Sequence, residues 1–165
     1  MRPVVASDVA LYCDLYGDPD TMRFVGPPLS RERALRCFRQ VLASLDRDPP
    51  ERVLLVIVEK ASGQCIGIGA FQDFDRERRR VEAGMMLGSG ARGRGFGKEG
   101  LRALVTYAFE KFAVDEVWIQ HAAEHGDARR VPVSLGLAHN TNHQSGRFIW
   151  SARRDSWPAD HSVSG

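Results

Sequence analysis

The feature that most constrains this chain is a glycine-dense stretch over residues 88–97, which reads GSGARGRGFG. It follows a segment rich in apolar residues, 81–87, and precedes apolar residues at helical spacing: Leu101, Leu104, Val105, Ala108, Phe109 and Phe112. The stretch therefore joins a predicted strand to a predicted amphipathic helix. Backbone N–H groups in the first turn of a helix lack partners within the helix, and glycines let a ligand approach them closely. We predict that this loop binds a phosphate or pyrophosphate group.

Two common nucleotide-binding patterns fit this loop poorly. Residues 95–100 match G-x-G-x-x-G literally, but a dinucleotide site also needs an acidic residue at the end of the next strand. Gln120 and His121 stand there, whereas the acidic residues of that segment lie at its start. A Walker A loop needs Ser or Thr where this chain has Glu99.

Periodicity and capping residues predict the elements around the loop. Helices are predicted over 9–16, from Ser30 to Leu45, after the glycine-dense stretch, and over 127–135 with Gly136 as its C-terminal cap. Strands are predicted over 52–60, 65–74, 81–87 and 114–121, and two further strands after residue 136. Short turns join the first three strands, so these should be antiparallel. The order predicts an α+β fold: a mixed, mostly antiparallel sheet flanked by helices, with a parallel or splayed strand pair at the loop.

Length and composition predict one soluble domain. A chain of 165 residues with 43% hydrophobic residues fits a single core, which we place over residues 1–156, with 157–165 as a flexible C-terminal tail. No apolar run approaches the roughly 20 residues of a membrane span, and no signal peptide is visible, so no membrane partner is expected. The cysteines are odd in number and scattered, which favours a reducing, cytoplasmic setting.

Charge does not favour a nucleic-acid partner. Lys and Arg number 23 and Asp and Glu 21, so the net charge is only +2, whereas nucleic-acid binders concentrate basic charge on one face. The one dense basic run, residues 76–80, is interpreted as a solvated hairpin tip, with contact to an acidic or RNA-rich partner as the alternative.

Residues 92–97, RGRGFG, resemble the acyl-CoA loop of the GNAT acetyltransferases. Residues 18–30, 81–85 and 93–104 are similar to the RimJ/RimL-like branch, and the resemblance runs over roughly residues 1–121. It implies a GNAT fold in which the strand before the loop splays from the strand after it. It also implies acetyl-CoA as co-substrate, with a primary amine as acceptor. The implied cofactor-binding residues are Met85, Met86, Leu87, Arg92, Gly93, Arg94, Gly95, Phe96, Gly97, Lys98, His125 and Arg130.

The resemblance weakens after residue 121. His125 stands where the family usually has an Asn that touches CoA, and Pro132 stands where many members have a Tyr that reprotonates the leaving thiolate. Proline inside a helix costs about 3 kcal/mol or more, so this helix should be short or bent. Solvent, or the hydroxyl of Ser134, is left to supply that proton.

Direct attack of an amine on a thioester needs a base and a donor to the carbonyl oxygen. By position in the family pattern, Glu82 is the first candidate for the base and Asp73 a weaker one. The alternative for Glu82 is a surface residue paired with neighbouring arginines. A backbone N–H near residues 85–87 is the expected donor. Arg23, Phe24 and Trp118 are expected to contact the acceptor.

No metal site is predicted, because the His pairs 121/125 and 139/143 fall on a strand end and a loop rather than on one helix face. The leading hypothesis is an N-acetyltransferase whose acceptor is a peptide or protein N-terminus or a small-molecule amine. The alternatives are a catalytically weak, CoA-binding regulatory or interaction module, and an RNA- or ribosome-associated protein. A homodimer is left open.

Overall fold

In the computed structural model, which describes residues 1–45, 51–140 and 146–158, a seven-stranded sheet lies between two groups of helices. The strands are β1 (Arg2–Pro3), β2 (Val53–Val58), β3 (Cys65–Asp75), β4 (Arg80–Leu87), β5 (Glu116–Ala122), β6 (Ala138–Asn140) and β7 (Arg147–Arg153). The helices are α1 (Val9–Gly17), α2 (Pro19–Met22), α3 (Arg31–Ser44), α4 (Phe96–Lys111) and α5 (Gly126–Ser134), with 3₁₀ turns at Ala6–Asp8 and Ser89–Ala91. The predicted α+β fold is confirmed.

The sheet splits in its middle. The strand order is β1-β2-β3-β4-β5-β7-β6, and among these neighbours only β4 and β5 run parallel. Their pairing ends at Glu82 and Trp118, although β4 continues to Leu87 and β5 to Ala122. The two strands therefore separate towards their C-terminal ends, as the sequence predicted, and we call the gap between them the split.

Each face of the sheet carries its own core. The first packs on α4 and includes Val81, Ala83, Leu104 and Val117. The second packs on α1 and α3 and includes Tyr12, Phe38, Leu54 and Ile68. Because side chains alternate along a strand, Glu82 lies between Val81 and Ala83 on the face opposite α4.

The helix that carries the proline is short, as expected. Helix α5 has nine residues, with Pro132 buried near its end. Gly136 follows the C-cap residue of this helix, and its φ of +71° favours glycine. The Gly136 N–H donates to the Val133 carbonyl and the Leu137 N–H to the Pro132 carbonyl, both at 3.0 Å. This is the Schellman pattern, and it turns the chain so that Leu137 enters the α4 core.

The two ends of the chain differ from expectation. The sequence showed no strand before α1, but β1 pairs with β2 at Arg2–Val56. The predicted tail starting at residue 157 is wrong for Trp157, whose Nε1 donates to Thr106 Oγ1 at 3.0 Å and whose ring packs on Phe109. Residues 159–165 lie outside the described part of the chain.

The basic run forms the turn between β3 and β4, as the hairpin interpretation predicted. Arg79 Nε lies 2.5 Å from an oxygen of Asp115, and Arg80 Nε lies 3.3 Å from one of Asp75. Acidic side chains of the same fold therefore compensate part of this basic charge. Among the described helices, none combines the length and hydropathy that crossing a membrane requires.

Candidate active site

Glu82 lies at the root of the split. It is the last β4 residue paired with β5, and only 6% of its surface is exposed. Two residues further along β4, Gly84 is exposed. The buried carboxylate therefore stands at the point where the sheet opens, and the alternative of a surface residue paired with arginines is wrong.

Amide groups from both neighbouring strands hold the Glu82 carboxylate. Gln120 Nε2 donates to Oε1 at 3.0 Å, and Gln72 Nε2 donates to Oε2 at 3.3 Å. Burial raises the pKa of Glu82, the two amide donors oppose that rise, and nearby Asp73 adds to it. A carboxylate with a raised pKa is better suited to accept a proton near neutral pH than an exposed one.

The glycine-dense loop presents unpaired backbone N–H groups. Gly93 and Gly95 have φ of +71° and +86°, a region that residues with a Cβ rarely adopt. The first N–H groups of α4 that bond to the backbone are those of Lys98 and Glu99, which donate to the Gly95 carbonyl at 3.1 and 3.4 Å. In the described structure the N–H groups of residues 93–97 have no such acceptor. Together with the dipole of the 16-residue α4, they fit an anion such as a pyrophosphate.

The arginines of the loop are engaged elsewhere. Arg92 Nη2 donates to Thr21 Oγ1 at 2.7 Å, and its Nε donates to the Leu87 carbonyl at 3.3 Å. Arg94 Nη2 pairs with Glu59 at 2.6 Å. Both arginines therefore brace the loop through these contacts, and their implied role in binding the cofactor stays a prediction. Lys98 is exposed and has no ion pair among the described residues.

The free end of β4 points alternate N–H groups into the split. The Gly88 N–H donates to the Ile66 carbonyl of β3 at 3.0 Å. Because backbone groups alternate in direction along a strand, Met86 also faces β3, whereas Met85 and Leu87 face the split. The Leu87 carbonyl, which accepts from Arg92, agrees with this direction. Within residues 85–87, where one backbone N–H is expected to donate to the thioester carbonyl, those of Met85 and Leu87 have the direction that this role needs.

Two predicted acceptor residues and one predicted cofactor residue contact one another. The ring of Phe24, which follows α2, stacks on His125 with centroids 4.2 Å apart, and the Arg23 guanidinium lies 5.1 Å from the Phe24 centroid. His125 Nδ1 accepts from the Ala128 N–H at 3.3 Å, and burial lowers the pKa of His125. His125 thus caps α5 and joins the segment after α2 to the far side of the split. Trp118, half-buried, is the β5 residue paired with Glu82.

The predicted residues Arg130 and Ser134, and His121 on β5, have other partners. Arg130 is 85% exposed, and Nη1 lies 3.9 Å from an oxygen of Asp127. Ser134 is exposed and donates to the Val131 carbonyl at 2.8 Å within α5. His121 Nε2 accepts from Trp150 Nε1 at 3.0 Å, so its other nitrogen carries the proton and donates to the Ala122 carbonyl. Among the described residues no contact joins Ser134 to Glu82 or to the loop.

Gln72, Gln120 and Thr21 were not identified from the sequence. Their partners Glu82 and Arg92 lie 10, 38 and 71 residues away along the chain. Only the strand register would have found the two glutamines, since Gln72 pairs with Glu82 and Gln120 follows Trp118 by two residues. In the residues that the structure describes, no cluster of three or more His, Cys, Asp or Glu side chains is arranged to hold a metal ion.

Comparison with known proteins identifies the family. The model of the acetyltransferase (GNAT) domain matches residues 1–138. The chain belongs to the GNAT acetyltransferase family. This GNAT protein is 24% identical to the uncharacterized N-acetyltransferase p20 of Bacillus licheniformis over 90% of its own length and 86% of that protein. It is accordingly an acetyl-CoA-dependent N-acetyltransferase.

Solved structures share the fold of this GNAT protein. Spermidine N-acetyltransferase from Vibrio cholerae, in complex with CoA and spermine, superposes with a TM-score of 0.78 at 12% identity, covering 93% of this chain and 94% of that one. The aminoglycoside acetyltransferase AAC(6')-Ib in complex with coenzyme A gives 0.76 at 14% identity, with the same coverage. At these identities the likeness shows the fold alone.

Proposed function

We propose that this GNAT acetyltransferase uses Glu82 as the general base in direct transfer of an acetyl group to a primary amine. The observation that carries the proposal is the buried carboxylate at the root of the split, with its raised pKa and cleft-facing backbone N–H groups on the same strand. Acetyl-CoA supplies the acetyl group as a reactive thioester. The unpaired N–H groups of residues 93–97, with Lys98 beside them, would hold its pyrophosphate.

The chain's own groups then have separate tasks. The N–H of Met85, or that of Leu87, donates to the carbonyl oxygen on which negative charge develops during attack. Glu82 accepts the proton that the attacking nitrogen loses. Solvent returns a proton to the leaving thiolate, because Ser134 bonds within its own helix and no described contact brings it to the split.

The acceptor is proposed to enter past Arg23 and Phe24 and to lie against Trp118, which borders Glu82 across the sheet. A peptide or protein N-terminus and a small-molecule amine both satisfy this chemistry. Membership of the RimJ/RimL-like branch, a single domain over residues 1–156, a cytoplasmic location and homodimer formation stay predictions. Light scattering in solution tests the last of these.

The change Glu82→Gln tests the base. Acetyl transfer is measured as thiol release with a panel of amines, and the modified amine is identified by mass spectrometry. We expect kcat/KM to fall by about 10²- to 10⁴-fold, the usual contribution of a general base. Binding of CoA, measured by calorimetry, should not change, because Glu82 does not belong to the loop.

The matched control is Glu77→Gln, at an exposed position in the β3–β4 turn, which should keep the wild-type rate. An E82Q variant as active as the wild type would remove Glu82 as the base. A wild-type protein that binds CoA and acetylates no amine of the panel would favour the CoA-binding regulatory module instead.

A further inference from the structure

The side chain of Gln120 crosses the split at its root. Backbone pairing between β4 and β5 ends at Glu82 and Trp118, and Gln120 is two residues further along β5 on the same face. Its Nε2 nevertheless reaches Glu82 Oε1 at 3.0 Å. A side-chain hydrogen bond therefore links the two strands where their backbones have separated.

Gln72 holds the same carboxylate from the opposite side. It is the β3 partner of Glu82 in the strand register, and its Nε2 donates to Oε2 at 3.3 Å. Each carboxylate oxygen thus has one amide donor, and the two donors come from the two strands that flank β4.

Arg52 determines which end of Gln72 faces Glu82. Arg52 Nη2 donates to Gln72 Oε1 at 2.5 Å. A guanidinium can only donate, so the amide oxygen of Gln72 must face Arg52 and its NH₂ group must face the carboxylate. Hydrogen bonds therefore converge on Glu82 from two sides: Arg52, just before β2, donates to Gln72, which donates to the carboxylate, and Gln120 donates to it from β5.

We propose that Gln120 and Gln72 are positioning residues that hold the Glu82 carboxylate from both sides of the split, with Arg52 orienting Gln72. The proposal rests on the proposed role of Glu82 as the base. A carboxylate has about four lone-pair sites, so two amide donors leave acceptor capacity for the proton of the incoming amine. Because both oxygens are held in place, the remaining lone pairs of the carboxylate keep one orientation towards the incoming amine.

The two glutamines also favour the charged form of the base. Donors to a carboxylate stabilise its ionised state, which opposes the burial of Glu82. Among the charged groups, Asp73 from β3 raises the pKa of Glu82 through its side-chain contact and its negative charge, whereas Arg52 contacts Gln72 rather than the carboxylate. Gln120 makes the shorter of the two bonds, so its loss should have the larger effect.

A purely structural role would predict a different result. If Gln120 only closed the sheet at the root of the split, its loss would lower stability and rate equally at every pH. A positioning role instead changes the pH at which the base loses its proton. The pH dependence of kcat/KM therefore separates the two roles.

The test uses Gln120→Met and Gln72→Met, which keep the length of the side chain and remove the donor. The control is Gln40→Met, at an exposed position on α3. Two quantities are measured on the full chain: kcat/KM for acetyl transfer against pH, and the ¹³C NMR titration of the Glu82 carboxyl carbon, assigned by its loss in E82Q. Thermal unfolding of each variant confirms that it folds.

We expect Q120M to move the acidic limb of the profile and the carboxyl titration together to higher pH. Well below the midpoint, kcat/KM should fall about three- to tenfold relative to wild type, since one pH unit corresponds to a factor of ten. Q72M should move both in the same direction by less, and Q40M should move neither.

The inference is overturned if, in Q120M and Q72M, the acidic limb of the kcat/KM profile and the Glu82 carboxyl titration both keep their wild-type positions while E82Q is inactive. In that case Glu82 stays the base, but the two glutamines do not position it. A titration that moves while the activity profile does not would instead overturn Glu82 as the base, and with it the catalytic role of both glutamines. If Q120M does not fold, Q72M tests the proposal from the β3 side.

Discussion

Gly67 shows how the absence of one side chain allows β4 to lie close to β3 beside the split. It lies on β3 opposite Leu87, at the free end of β4. A Cβ built there would overlap the Met86 carbonyl oxygen and lie 2.8 Å from Leu87 Cδ2. Backbone cannot move aside as a flexible side chain can, so glycine is required at this close approach.

Gly67→Ala should therefore push β4 away from β3 at the split. We expect the free energy of unfolding to fall by about 1–3 kcal/mol, the usual cost of overpacking, and CoA to bind more weakly, because Met85 and Leu87 line the split. Urea unfolding and calorimetry measure the two effects. Gly26→Ala is the control, since a Cβ at Gly26 meets nothing within 4 Å; equal losses in both variants would contradict this explanation.

The first strand and the first helix are joined by one carboxylate. Asp8, 6% exposed, accepts from both terminal nitrogens of Arg2 at 2.7 Å and from the Val5 N–H at 2.8 Å. Asp8 directly precedes α1, but its side chain makes no hydrogen bond that caps that helix. It instead links β1, an edge strand of two residues, to the 3₁₀ turn at Ala6–Asp8.

Asp8→Asn should weaken this connection in a pH-dependent manner. The hydrogen bonds from Arg2 and Val5 lower the pKa of Asp8. The contribution of ionised Asp8 to the free energy of unfolding is therefore complete above the unfolded-state pKa of Asp, about 3.9. It is lost as the pH falls through the lower folded-state pKa. We expect D8N to lose about 1–3 kcal/mol at pH 7, as for hydrogen bonds to charged groups.

Urea unfolding at pH 7 and at successively lower pH checks this prediction. The gap between wild type and D8N should narrow below about pH 4. Asp14→Asn, at an exposed position on α1, is the control and should show no such gap. A gap that widens towards low pH would have the wrong sign for a carboxyl with a lowered pKa.

The whole molecule is built so that one sheet both separates two cores and opens into a site. The α4 core and the α1–α3 core lie on opposite faces, and between them the split exposes the free ends of β4 and β5. Two contacts bring α2 and the residues after it to the split: Arg92 to Thr21, and His125 to Phe24. These contacts link the glycine-dense loop to α2 and link Phe24, proposed to contact the acceptor, to the start of α5.

The last described residues complete the α4 core rather than trailing from it. Trp157→Ala should lower the free energy of unfolding by about 2–3 kcal/mol, somewhat less than truncation of a fully buried aromatic residue. Thr106→Val, which removes only the acceptor of the Trp157 indole N–H, should cost about 1 kcal/mol. Denaturant unfolding of both variants measures this, and a W157A variant as stable as wild type would restore the tail interpretation.

Local signals in the sequence were sufficient for the elements and for the loop. The helical spacing after residue 100, the Ser30 cap and the Gly136 stop each depend on residues within a few positions of one another, and the positive φ angles at Gly93 and Gly95 favour glycine. Position in the family pattern singled out Glu82, which the structure buries at the root of the split; its role as the base stays a proposal. The two-residue β1 was not predicted, because it is too short to show an alternation of polar and apolar side chains.

Tertiary structure decided what those residues do. Strand register and helix packing bring together the partners of these side chains. Arg94 pairs with Glu59, Asp8 pairs with Arg2, and Gln120 donates to Glu82 for this reason. A shift of one residue in register turns every side chain of a strand to the other face of the sheet. Contacts across the split therefore follow from long-range pairing, which no local pattern in the chain encodes.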